Sequence, residues 1–177
     1  MRKHVFIACS VFVAAVYFSG NRLAASDLRI TEIMASNVTT NYDEMYYNFG
    51  DWIEIYNASG SSKNLYGYYL TDDSTNLFKY KIDFHLGISA GGHRIIWTDS
   101  HHNYNHADFS LDSDGEFIAL VDPSGNILDS VTFGPQYPDI SYGRSTNTDS
   151  TWYYYQKPTP GYENGHGLPN AEFSETV

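Results

Sequence analysis

Glu116–Val121 and Asn126–Phe133 are two apolar, β-prone runs separated only by Asp122-Pro123-Ser124-Gly125. Proline presets φ at the second turn position and glycine accepts the positive φ that closes a turn, so the stretch reads as a hairpin. The same punctuation recurs where Ala90-Gly91-Gly92 precedes His93–Thr98 and where Asp112-Ser113-Asp114-Gly115 leads into the Glu116 run. Gly115 and Gly125 are assigned to these hairpin turns. Further β-rich runs are Leu28–Thr31, Asp51–Asn57, Leu65–Leu70, Leu77–Phe84 and Trp152–Tyr155, which makes eight in all. No stretch sustains a helical period, and Tyr42–Asn48 has room for one helical turn at most. Short strands at this spacing predict an all-β sandwich or barrel.

Alternation within Asp51–Asn57 indicates which side is buried. Ile53 and Ile55 share one face, while Trp52, Glu54 and Tyr56 share the other. The isoleucine pair is expected to face the core, because Glu54 would be costly to bury unpaired.

The N-terminus has the three parts of a secretory signal peptide. Met1-Arg2-Lys3-His4 is basic, Val5–Phe18 is apolar, and Leu23-Ala24-Ala25-Ser26 supplies small residues for cleavage near Ala25. The 14-residue apolar run is short of the roughly 20 residues a membrane helix needs. Cys9, the only cysteine, stands in a faint lipoprotein-box context, but only four apolar residues precede it. Residues 1–25 are therefore read as a leader, which makes the protein secreted or cell-surface, with no membrane insertion of the mature chain. That chain has no cysteine, so its core must hold without a disulfide. Removing Arg2, Lys3 and Arg22 leaves seven basic against 21 acidic residues, a balance of −14. Phosphate backbones repel such a surface, so nucleic acid is not an expected partner.

The order of motifs carries more information than any one of them. Along the chain run ITEIMASN (30–37), DWIEIYN (51–57), LYGYYLTDD (65–73) and ISAGGHRIIW (88–97). Then come ADFSLDSDGEFIALVDPSGNILDSVTFG (107–134), ISYGR (140–144) and PTPGYEN (158–164). This series resembles the lamin tail domain family in its bacterial secreted branch. The resemblance implies an immunoglobulin-like β-sandwich, one domain over 27–164, with 165–177 as a linker or the start of a further module. It also implies a non-catalytic interaction or tethering role, because bacterial members are appended to larger secreted or surface proteins, including CotH-type multidomain ones. Pro169-Asn170-Ala171-Glu172-Phe173-Ser174 looks similar to the start of a following β-module in those proteins. The expectation is an accessory domain of a longer surface protein.

Most matched residues read as structural. Pro160 and Gly161 suit a turn that needs a fixed φ followed by a positive one. Trp52 and Trp152 are large amphipathic plates, and Arg144 is expected to lie against Trp152 or a carboxylate. No cofactor is expected. Asp112 and Asp114 are the weaker case for Ca2+, since the segment lacks the later spaced ligands and terminal glutamate of a full loop. Asp99, His101, His102 and His106 form a local cluster, but they fall on no regular element and read as a solvated loop rather than a zinc site. The aromatic run Trp152, Tyr153, Tyr154 and Tyr155 is the best binding surface in the sequence. Its partner would be a protein or cell-surface polymer, with carbohydrate as the alternative. There is no cysteine nucleophile, G-x-S-x-G elbow or phosphate-cradling loop, so no enzyme is expected. A metal-assisted hydrolase at the histidines is the weakest alternative.

Overall fold

A computed structural model describes residues 26–165 and 167, and every regular element among them is a strand. The leader, Cys9 and the segment Pro169–Ser174 lie outside the described residues. In chain order the strands are β1 (Leu28–Met34), β2 (Trp52–Asn57), β3 (Lys63–Asn64), β4 (Tyr69–Thr71), β5 (Tyr80–Lys81) and β6 (Gly87–Ile88). They continue with β7 (His93–Thr98), β8 (His106–Ala107), β9 (Phe117–Val121), β10 (Ile127–Thr132), β11 (Ser141–Arg144) and β12 (Trp152–Tyr155). A six-stranded sheet has the order β12-β11-β1-β2-β7-β8, and a four-stranded sheet has the order β10-β9-β4-β5. β3 and β6 form a separate pair. All pairings are antiparallel except that of β7 with β8. The expected sandwich is what forms.

The core lies between the two large sheets. Ile30, Ile33, Ile53, Ile55 and Ile96 meet Leu70, Ile118, Leu120 and Val131. Ile30 and Ile33 are three apart and could not share a face of a regular strand. A bulge between Ile30 and Glu32 makes it possible, because Thr31 is the extra residue opposite β2.

The other face of the large sheet is not wet, which corrects the simple alternation. Met34, Trp52 and Trp97 form a second buried cluster, and Trp52 is fully buried. Glu54 is also fully buried, but it is paired: His93 Nδ1 lies 2.8 Å away, Thr31 Oγ1 donates at 2.7 Å and the Gly161 N–H donates at 2.6 Å. Over Glu54 and Glu32 this cover comes from the segment after β12. Its Pro160-Gly161 turn forms as expected, with Gly161 at φ 88° and Tyr162 N–H donating to Thr159 O.

Other expectations shorten. Within Leu65–Leu70 the chain turns at Gly67 (φ 85°), so the strand begins only at Tyr69. Tyr42–Asn48 forms a tight turn closed by an Asp43–Asn48 bridge, not a helix. Gly125 closes the β9–β10 hairpin at φ 87°, whereas Gly115, at φ 109°, closes a turn that leads into β9 from a segment β9 does not pair with, so the expected hairpin there is a simple turn. A Cβ on Gly115 would stand 2.5 Å from Phe133 O. Gly115→Ala is therefore expected to cost about 1–3 kcal/mol, the range for a strained backbone position. Gly134→Ala, where a Cβ meets nothing within 4 Å, should cost far less. Urea melts of the two variants would check the difference.

Candidate functional site

The large sheet overhangs the small one. β10 packs across β1, and Ile30 N–H donates to Asp129 Oδ2 at 2.8 Å, while β11 and β12 continue past this junction. β12 is therefore an edge strand with part of its inward face open, and the aromatic run stands here. Pairing sets Trp152 opposite Arg144, Tyr153 opposite Gly143, Tyr154 opposite Tyr142, and Tyr155 opposite Ser141.

Alternation splits the run in two. Trp152 and Tyr154 share a face with Tyr142, and the rings form a row. Trp152 stacks on Tyr142 at 5.2 Å, Tyr142 meets Tyr154 at 5.0 Å, and Tyr154 meets Tyr137 edge-on at 6.4 Å. The Tyr154 hydroxyl donates to Pro135 O at 3.1 Å. Burial raises the phenol pKa of Tyr142 and of Tyr154, so both remain neutral hydrogen-bonding plates. Tyr155 does not join this surface. It is 4% exposed, its hydroxyl donates to Arg144 O at 2.9 Å, and burial pushes its pKa up to about 12. Tyr153 lies on that same opposite face, against the backbone of Gly167. Tyr137 and Tyr142, which no local aromatic pattern singles out, take the places of Tyr153 and Tyr155.

Beside the row is a cleft of about 310 Å³, lined by Trp152, Arg144, Asp129, Ser130, Leu128 and Arg29. Arg144 lies under Trp152, with its cation 4.9 Å from the ring, and grips both oxygens of Asp129 at 2.7 and 2.8 Å. Both alternatives expected for Arg144 are realised together. Arg29 donates through Nη1 to Thr148 O, while its buried Nε has no hydrogen-bond partner. The cleft therefore joins an aromatic wall to charged and hydroxyl groups. This combination can orient a polar ligand.

The other candidate residues separate. Asp112 and Asp114 serve their own turn: Asp112 Oδ1 accepts the Asp114 N–H, and Glu116 Oε1 accepts the Asp112 N–H. The histidine loop departs from expectation. His106 is 1% exposed and lies in β8, because that strand adds parallel to β7 with His106 beside Trp97. Asp99, His101 and His106 converge, and they are the only group of three or more such side chains at metal-ligand spacing among the described residues. His102 turns away to Asp108.

A Lamin Tail Domain family model matches residues 21–135 of the chain. No curated protein matches the chain. The matched range ends before β11 and β12, yet β11 pairs directly with β1 inside it, at Glu32–Gly143 and Ile33–Tyr142.

Proposed function

The chain belongs to the lamin tail domain family, and from that premise we propose that it is an exported interaction module that holds a partner against the aromatic edge of β11 and β12. The family is one of non-catalytic, immunoglobulin-like sandwiches, and the two packed sheets described above are of that kind. The leader pattern of residues 1–25 supports the exported part of this reading. The observation that carries the reading is the ring row Trp152–Tyr142–Tyr154–Tyr137 on an edge strand. Tyr and Trp offer large contact area at low entropic cost and are enriched at interfaces. In this reading the module is an accessory domain that positions a larger secreted or surface protein on its partner.

A polysaccharide partner is a second reading, and the cleft favours it. A flat indole beside Asp129, Ser130 and Arg29 offers a sugar both a stacking plate and hydroxyl partners.

Retention of the purified chain on an insoluble cell-envelope fraction tests both. Trp152→Ala should weaken retention roughly 30-fold, as for a hot-spot aromatic worth about 2 kcal/mol. Because that change also removes the stack on Arg144, Tyr154→Ala serves as the second variant, and a melting curve accompanies each. Retention that survives protease treatment of the envelope assigns the polysaccharide, and loss assigns a protein. Wild-type retention by both folded variants would remove the aromatic edge from the function.

A further inference from the structure

We propose that Asp99, His101 and His106 bind one zinc-class divalent ion, independently of the aromatic edge. Their ligand atoms all lie within 4.8 Å of one another. Asp99 Oδ2 is the pivot, 2.9 Å from His106 Nδ1 and 3.0 Å from His101 Nδ1. Tetrahedral zinc with bonds of about 2.0–2.2 Å holds neighbouring donors roughly 3.3 Å apart. The two Asp99–histidine spacings lie within tenths of an ångström of that value, while the histidine donors, within 4.8 Å of each other, would close on the ion through rotation of the more exposed His101. Two imidazoles and a carboxylate are the donor set that zinc accepts readily, and magnesium and calcium do not favour it.

The surroundings fix the rings before any ion arrives. His106 lies parallel to Trp97 with centroids 6.1 Å apart, and Tyr46 meets it edge-on at 4.8 Å. Tyr46 also stacks on His101 at 3.6 Å. His106 Nε2, the nitrogen left over when Nδ1 ligates, faces Asp43 Oδ2 at 3.9 Å. A carboxylate hydrogen-bonded to the distal N–H of a ligating histidine is the usual outer-shell arrangement, and at 3.9 Å Asp43 stands on that side of the ring as an ion-pair neighbour just beyond hydrogen-bond reach. Asp43 is itself held by the backbone N–H groups of Met45 and Tyr46.

Asp99 supplies an independent sign. Its side chain is 6% exposed, and its second oxygen, Oδ1, is buried without a hydrogen-bond partner. A buried acceptor left unpaired is costly, and a carboxylate more so, unless a cation offsets the charge. The site is also open on one side, because the His101 side chain is 35% exposed. Three protein ligands leave a fourth position for water or for a donor from a partner. The ion would clip the Asp43–Asn48 turn to the β7–β8 edge through Tyr46 and Asp43.

The test uses the untagged full chain, stripped with chelator and titrated with zinc sulfate by calorimetry. Cobalt(II) serves as the spectroscopic probe of tetrahedral geometry. The expected result is one ion per chain at micromolar or tighter affinity, visible cobalt bands displaced by zinc, a raised melting temperature, and no response to magnesium. His101→Ala, at a partly exposed position, should keep the fold and weaken zinc binding by more than the roughly 10- to 100-fold typical of outer-shell changes. His102→Ala, whose imidazole faces Asp108 at 3.2 Å, should bind as wild type does. Absence of stoichiometric zinc at micromolar concentration overturns the site, as does binding unchanged in His101→Ala or lost equally in both variants.

Discussion

Arg144→Ala is expected to cost the fold about 3–5 kcal/mol, the range for removing one partner of a buried ion pair. Arg144 is 5% exposed, and each of its nitrogens is engaged. Nε donates to Ile30 O at 2.7 Å, Nη1 to Asp149 O at 2.7 Å, and Nη2 to both oxygens of Asp129. Asp129 sits on β10 of the small sheet and also accepts the Ile30 N–H, so the pair ties the two sheets at the overhang. Truncation leaves the Asp129 charge and two carbonyls without their donor, and Trp152 without its cation. Arg144→Lys should recover only a minor part, because an ammonium cannot present a planar fork in three directions. Arg144→Met combined with Asp129→Leu should cost less than Arg144→Ala alone, since no charge is then stranded. Urea denaturation of the four proteins measures this. A loss under about 1 kcal/mol in Arg144→Ala, the value of an exposed pair, would sink the clamp.

Arg144 also marks how far the sequence could be read. Its chemistry required a partner, and Trp152 nearby in the chain was a sound guess. Asp129 had no such signal, because which residue of β10 meets β11 across the two sheets is a tertiary fact. The hairpin at Asp122–Gly125 and the core face of Ile53 and Ile55 were legible, since both depend on residues close in sequence. Trp52 and Glu54 were misread for one reason. Alternation assumes that one face of a strand is wet, and here a segment more than 100 residues later lies over Glu54 while Met34 and Trp97 bury Trp52. His106 was misread similarly, because loop-like composition conceals a two-residue strand whose burial comes from β7. The aromatic run was legible as a feature but not as a surface. Only the partner strand shows that Tyr142 joins Trp152 and Tyr154 while Tyr155 turns inward.

The C-terminal cover leads to the second large effect, on pH. Glu32 and Glu54 stand directly opposite each other on β1 and β2, and both are fully buried. Burial above all, with Glu54 adding repulsion, pushes the Glu32 carboxyl up to about 7, against hydrogen bonds from Ser141 and Thr159 that favour the ion. A carboxyl raised in the folded state makes that state bind more protons than the unfolded chain. Its stabilisation is fully present below the unfolded value of 4.5 and is lost as pH rises through about 7. The shift corresponds to roughly 3 kcal/mol over that window. Asp51, raised by burial to about 6, and Glu116, raised by burial to about 7, act in the same direction. Asp149, lowered to about 2 chiefly by the Ser145 hydroxyl, contributes stability above the ordinary carboxylate range that is lost only in stronger acid. Stability should therefore peak in mild acid and fall toward pH 8. Glu32→Gln, which cannot ionise, should flatten the fall and be more stable than wild type at pH 8. At that pH the Gly161 amide, which donates to Glu54 at 2.6 Å, should be less protected from exchange in the wild type than in Glu32→Gln, because the ionised Glu32 stands directly opposite Glu54 beneath the cover. Denaturant melts from pH 5 to 8, with amide exchange at both ends, provide the measurement. Stability that rises across that interval, or a Glu32→Gln slope equal to wild type, would show that Glu32 stays ionised beneath its cover.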